Sequence, residues 1–389
     1  MLLFLAALAA LGQASSGDAV RASLEPFVAS GELAGAVAVV GDSKGVLALE
    51  AVGKRDIAAG DAMPKDALFR IASMTKPITT LAVMQLVEAG KIDLDAPVAL
   101  YLPEFRDMPL VKERAGSRVV LDKPARQPTV RDLMRHTSGL PGSYPKGLEK
   151  LYERRDLPLS VTSLALAQRP LEFEPGSKWS YCNPGIDTLG RLAEAVSGTR
   201  FEDLLREKVL SPLGMKDTTF YPSAESLKRL ASNYDRKNGK LVAVGTPLMG
   251  PPEGARFPVP AGGLYSTGPD LTRLYRAMLQ GGELEGARVI GNKALAEMTR
   301  LQTGDLPCGF VDGMGFGLGW AHVREPKGVT AMLSPGTYGH GGAFGTQAWI
   351  DPKRDLFVVL LIQRVGLGNG DASPMREALQ KAAVALARR

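Results

Sequence analysis

The chain has 389 residues, of which 45% are hydrophobic, 23% charged and 6% aromatic, with a formal charge of +6. This balance excludes disordered and fibrous proteins, and at roughly 150 residues per domain the length fits two or three domains, or one large domain with an insertion. The longest apolar run, Leu2 to Leu11, is too short to cross a bilayer, and no block of like charge offers a nucleic-acid arm.

Two cysteines, Cys182 and Cys308, cannot build a disulfide framework or a cysteine zinc site. Three histidines (His136, His322 and His340) without an HExxH pattern speak against a metal hydrolase, so neither metal nor cofactor is expected. Catalysis is left to hydroxyls, lysines, carboxylates and backbone dipoles.

Residues 1–17 join a ten-residue apolar stretch to small residues, with Gly12-Gln13-Ala14 as a cleavage point. They read as a signal peptide lacking the usual basic start, hence a periplasmic or secreted protein. The alternative is a cytoplasmic protein with an apolar first helix.

Residues 18–32 predict an amphipathic helix, with Val20, Leu24, Phe27 and Val28 at helical spacing. AGAVAVVGDSKGVLALEAVG reads as a hairpin, two β-rich runs joined by Gly41-Asp42-Ser43-Lys44-Gly45. From Ser73 the pattern turns helical through ITTLAVMQLVEAG, apolar at spacings of three and four and capped by Gly90. The stretch 91–255 is rich in helical patterns, proline and loops, among them VRDLMRHTSGL and PGIDTLGRLAEAVSG. QAWIDPKRDLFVVLLIQR then predicts two strands around a turn, and PMREALQKAAVALARR a closing helix. The expectation is one α/β body, 18–90 plus 256–389, with a mainly helical lobe, 91–255, inserted into it.

The GxSxG at Gly41–Gly45 resembles a nucleophile elbow, but it joins two strands where an elbow needs a strand followed by a helix. Two Ser-x-x-Lys pairs occur. Ser143–Lys146 lies in a Gly/Pro loop, whereas Ser73–Lys76 opens a helix, where positions three apart share a face. Pro77 suits a first helical turn, and the helix dipole at Ser73 favours an alkoxide. Tyr181-Cys182-Asn183 stands at a turn before a helix. A tyrosine beside a lysine ammonium is expected to have its acidity raised and to act as a base. Gly339-His340-Gly341-Gly342 precedes the strand pattern AFGTQAWI, and paired glycines there let a substrate approach backbone N–H donors.

Taken together and in this order, these segments resemble the serine β-lactamase and penicillin-binding-protein superfamily. Its class C β-lactamase-like branch, with the family VIII carboxylesterases, is nearest. The landmarks are FRIASMTKPITT, LMRHTSGLPG, WSYCNPGIDTLG, PAGGLYST, GFGLGW and YGHGGAFGT. The resemblance implies an antiparallel sheet flanked by helices, and an active site at the seam with the lobe. It makes Ser73 the acylated nucleophile, Lys76 its activator and Tyr181 the general base. Asn183 would contact the acyl side, with an oxyanion hole at the N–H groups of Ser73 and Ala343, and His340, Gly341 and Gly342 lining the substrate site. His136 in the LMRHTSGL segment reads as structural.

One departure bears on substrate. Lactamases and peptidases of the superfamily carry Lys-Thr-Gly where this chain has His340-Gly341-Gly342, and a histidine is mostly neutral at pH 7. Lys237-Asn238-Gly239 comes too early in the chain to replace that motif and reads as a hairpin turn. Loss of the fixed cation weakens binding of anionic β-lactams and favours neutral esters. The expected activity is hydrolysis of small-molecule, short-chain carboxylic esters. A β-lactamase, a D-amino-acid-directed peptidase and an acyltransferase are the alternatives.

Overall fold

A strand that is apolar at every position must be covered on both faces, and GAVAVVG is such a strand. In the computed structural model, which describes residues 15–144, 156–245, 255 and 257–387, it is an interior strand of the largest sheet. The strands are β1 (Gly35–Gly41), β2 (Val46–Asp56), β3 (Asp61–Ala62), β4 (Met314–Phe316), β5 (Ala321–Val323), β6 (Tyr338–Gly341), β7 (Gln347–Asp351) and β8 (Leu356–Leu361). They lie in the order β4-β5-β6-β7-β8-β1-β2-β3, each neighbouring pair antiparallel.

The helices are α1 (Ser16–Ala29), α2 (Thr75–Glu88), α3 (Val130–Met134), α4 (Leu159–Ala167), α5 (Asn183–Ser197), α6 (Phe201–Leu205), α7 (Ala224–Leu227), α8 (Gly268–Leu279), α9 (Asn292–Thr299) and α10 (Pro374–Ala387). Strand alternation divides the core into two layers. Ala36, Ala38 and Val40 of β1, with Val358 and Leu360 of β8, pack against Val20 and Leu24 of α1 and Leu379 and Ala383 of α10. Val37, Val39, Phe357 and Val359 face the other way, into a core shared with α2, α5 and α8. The fold is thus an antiparallel sheet flanked by helices.

Most predicted elements recur with shifted ends. α1 begins earlier than its apolar pattern because Ser15 and Asp18 form a reciprocal capping box. The leader reading of residues 1–17 lies outside the described residues as far as position 14. α2 is buried nearly all round, beyond the single apolar stripe expected, because the sheet covers one side and α5 another. Besides helices, the 91–255 stretch contains two hairpins, Leu110–Ala115 with Arg118–Asp122 and Tyr234–Lys237 with Lys240–Ala243. The second turns at Asn238 and Gly239, both at positive φ, as the Asn-Gly pair predicts.

The glycines at 339–342 precede a strand, as the sequence predicts, but that strand, β7, starts only at Gln347; residues 343–346 form a turn, and Tyr338–Gly341 is itself β6. The turn is closed by the Gly342 N–H donating to the Thr346 carbonyl at 2.7 Å. No helix among the described residues is long and apolar enough to cross a membrane.

Candidate active site

The segment entering α2 is held before the helix starts. Phe69–Arg70 pairs with Tyr265–Ser266, and the Ile71 N–H donates to the Leu264 carbonyl at 3.1 Å. Ala72 then takes the left-handed φ of 47°, unfavourable for a residue with a Cβ, and a 3₁₀ turn from Ala72 to Met74 carries Ser73 into α2. Across from it, a Cβ on Gly342 would stand 2.6 Å from the Ile71 carbonyl oxygen and 3.3 Å from the Ala72 Cβ. Glycine is therefore required for the turn after β6 to approach the Ser73 segment this closely.

Lys76, fully buried, lies one turn into α2 from Ser73. Its Nζ is 3.0 Å from the Ser73 Oγ, donates to the Ala261 carbonyl at 2.7 Å and lies 4.6 Å from the Tyr181 ring centre. Burial pushes this amine down to about 7, with the Asp187 carboxylate pulling the other way. Asp187, in the second turn of α5, also accepts from the Ala261 N–H at 2.8 Å, so one carboxylate orients the loop that orients the lysine.

Tyr181 is fixed by its neighbours. Its ring lies 4.6 Å from that of His136 and 5.0 Å from that of Phe310, the latter edge-on. His136, at φ 62°, receives the Cys182 N–H on Nδ1 at 3.2 Å and the Ser180 N–H on its carbonyl at 2.9 Å, thereby gripping both sides of Tyr181. Nδ1 is thus an acceptor and Nε2 carries the proton; burial holds His136 well below the usual imidazole range. This is the structural role the sequence suggested for His136.

The expected acidity of Tyr181 is reversed. Burial raises its pKa well above that of an ordinary phenol, opposed by the facing Ser73 side chain and reinforced by Asp371. The sequence reading presumed a lysine ammonium beside the ring, whereas burial depresses the lysine and the tyrosine keeps its proton.

Cys182 caps α5, its Sγ accepting from the Gly185 N–H at 3.2 Å while donating to the Pro141 carbonyl at 3.2 Å. Burial pushes its thiol up to about 12. Asn183 is the first residue of α5 and half-buried.

His340 lies buried in β6. Its Nδ1 is 2.6 Å from the Gly341 carbonyl oxygen, which only accepts, so Nδ1 carries the proton and Nε2 is a lone pair without a partner among the described residues. Burial, together with Lys76, lowers it to about 3, so the ring is neutral at working pH.

A cavity of about 590 Å³ unites Ser73, Tyr181, His340, Gly341, Gly342 and Ala343. The N–H groups of Ser73 and Ala343 donate to no acceptor among the described residues, leaving both available to a developing oxyanion. Asn183 is not part of this cavity wall. Phe310, Asn369 and Asp371 are part of it, and sequence reasoning missed all three, as it missed Asp187. Only Asp187 had a legible signal, standing one helical turn after Asn183. The other candidates fall elsewhere. Ser43 sits in the β1–β2 turn, its N–H and hydroxyl both donating to Asp355, and Lys146 lies outside the described residues.

A family model described as β-lactamase matches residues 20–382. The chain is 31% identical to esterase EstB of Burkholderia gladioli over 403 residues, covering 96% of this chain and 97% of that protein. Among solved structures it resembles EstCE1, described as a hydrolase with promiscuous acyltransferase activity (TM-score 0.75, 24% identity, 93% of this chain and 97% of that one). It also resembles simvastatin synthase, LovD, of Aspergillus terreus (TM-score 0.77, 22% identity, 94% and 98%). At these identities the two structures speak for the fold.

Proposed function

The chain belongs to the β-lactamase family and is a serine hydrolase of it, and from that premise we propose that it cleaves short-chain carboxylic esters through an acyl-enzyme on Ser73. The observation that carries this reading is the wall of the Ser73 cavity. Among the described residues it holds no lysine or arginine, and His340, neutral, stands where lactamases of the superfamily carry a lysine. Nothing in that wall compensates the carboxylate of a β-lactam or of a D-Ala-D-Ala terminus. The likeness to EstB supports the same reading.

In this mechanism Lys76, as free amine, takes the proton from the Ser73 Oγ as the oxygen attacks the ester carbonyl. The N–H groups of Ser73 and Ala343 stabilise the oxyanion. Tyr181, poised between Lys76 and Ser73, passes the proton to the departing alkoxide, and the C–O bond breaks to leave the acyl-enzyme. Water then attacks the acyl carbon, losing its proton through the same pair, and Ser73 is regenerated. Asn183, at the head of α5, lies outside the cavity wall and takes no step in this mechanism.

Relative kcat/KM on p-nitrophenyl butyrate and nitrocefin, for wild type and Ser73→Ala, tests the reading. Ester turnover that exceeds nitrocefin turnover and vanishes in Ser73→Ala is the expected result. Efficient nitrocefin hydrolysis with negligible ester turnover would overturn it. Added alcohol acceptors reveal any acyl transfer as ester product in place of free acid.

A further inference from the structure

Asp371 is the single formally charged side chain in the wall of the Ser73 cavity among the described residues. Its Oδ1 receives the Gln347 Nε2 at 3.2 Å, and its charge reaches far enough to oppose ionisation of Tyr181. The nearest cation to Asp371 is Arg376, fully buried behind it and stacked 4.1 Å from the Trp349 ring centre. Arg376 Nη1 donates to the Asp371 backbone carbonyl at 2.6 Å but stays 3.8 Å from Oδ1. The pair therefore forms a dipole whose negative end is partly exposed at the cavity and whose positive end is sealed away from it.

An aromatic surface stands on the same cavity. Phe310 is 44% exposed, meets Tyr181 edge-on at 5.0 Å and Trp179 edge-on at 5.9 Å. The Asn369 Nδ2 donates to the Phe310 carbonyl at 2.7 Å, tying the loop that carries the ring to the turn that carries Asp371. A carboxylate and an exposed aromatic ring on one cavity are what a poorly hydrated cation requires, since the ring face and the carboxylate both attract it. The remaining titratable groups do not cancel this field: His340 is neutral and Lys76 is a free amine above about pH 7.

We infer that the site selects esters bearing an ammonium group close to the scissile bond, with Asp371 and Phe310 as its recognition residues, and rejects esters bearing a carboxylate there. The inference rests on the ester-hydrolase reading above and names its substrate class.

Three butyrate esters of matched size test it: butyrylcholine, its carbon isostere 3,3-dimethylbutyl butyrate, and 3-(butyryloxy)propanoate. The expected order of kcat/KM is cation, neutral, anion, with the cation ahead of its isostere by about 3- to 30-fold. In Asp371→Asn the cation-to-neutral ratio falls close to one, and Asp371→Glu restores part of it. The ratio is taken within each enzyme, so a general loss of activity does not move it. Equal rates on the cationic and neutral esters in wild type, or a preference for the anion, would overturn the inference while leaving ester hydrolysis intact. A second measurement does not depend on turnover: tetramethylammonium titrated into Ser73→Ala protein, followed by tryptophan fluorescence. Saturable binding that weakens about 3- to 30-fold when Asp371→Asn is added supports the inference, and absence of binding overturns it. Failure to cleave any ester, with tetramethylammonium still bound through Asp371, would remove the ester reading alone.

Discussion

The Lys76 amine lies 3.0 Å from the Ser73 hydroxyl in a setting that disfavours its charge, so the lysine can take the serine proton near neutral pH. Burial brings it down to about 7, while the Tyr181 hydroxyl is moved in the opposite direction. In the proposed mechanism the lysine is accordingly the base that starts the reaction. The acid limb of kcat/KM for p-nitrophenyl butyrate should then titrate near pH 7 and level off above about pH 8. Tyr181→Phe should lower kcat by about 10²- to 10⁴-fold and keep that limb in place. A limb near pH 9 or 10 that disappears in Tyr181→Phe would transfer the role to the phenolate.

Asp187 supplies the charge that holds the Lys76 amine up against burial. Asp187→Asn removes that charge but retains an oxygen able to accept from the Ala261 N–H, the bond that shapes the lysine's loop. The acid limb should move downward by roughly one pH unit. A drop in rate with an unmoved limb would mean that Asp187 acts only through the loop.

Gly341 and Gly342 are neighbours with different tolerances. A Cβ at 342 would sit 2.6 Å from the Ile71 carbonyl oxygen, backbone that leads directly into Ser73. At 341 it would meet the tips of Asp371 and Gln347, at 2.3 and 2.5 Å, and side chains can swing aside. Displacement of a nucleophile by an ångström costs on the order of 10²-fold. Gly342→Ala should therefore lose about that much kcat on p-nitrophenyl butyrate, and Gly341→Ala clearly less; the reverse order would contradict this placement of β6.

Cys182 lies inside the tyrosine motif and still should not behave as a reactive thiol. It is buried, caps α5 and has its acidity suppressed to about 12. Iodoacetamide at pH 8 should leave it unmodified in the folded protein, as peptide mass analysis can check, and label it after denaturation. Cys182→Ser, which keeps a capping oxygen, should leave the limb near pH 7 unchanged. Rapid labelling of the native protein with loss of activity would place the thiol at the surface.

The parts of the site legible in the sequence are those whose chemistry demands a fixed local spacing. Ser73 and Lys76 must share a helix face, Tyr181 must precede a helix, and His340 must precede small residues; all three patterns can be read along the chain. The fold is legible at β1 and β8, because unbroken apolar runs mark strands covered on both faces, and at β7 through its place before the turn at 351–355 into β8. β4 and β5 are not, since each has three residues in a glycine-rich stretch; β5 is held between β4 and β6, and β4 pairs with β5 alone. Asp371 and Phe310 come from loops with no periodicity, and they meet Tyr181 only because α10 and the β4 edge fold onto the same cavity. The acidity of Tyr181 was misjudged for a related reason: it depends on burial, which sequence neighbours do not report.

Burying Lys76 also has a consequence for stability whose sign follows from its proton. In the unfolded chain the amine titrates near the ordinary 10.5, and in the folded protein at about 7. Between those values the unfolded state holds one more proton, so stability rises with pH across that window. Below about pH 7 both states are protonated, and the full penalty for the buried charge is present. Lys76→Met removes this dependence. The stability of wild type relative to Lys76→Met, followed by urea unfolding, should be flat from pH 5.5 to 6.5. It should then climb from about pH 7 toward pH 10, by at most about 1.4 kcal/mol per pH unit. A difference independent of pH over that range would mean that the lysine keeps an ordinary pKa in the folded protein, and the assignment of Lys76 as the neutral-pH base would fall with it.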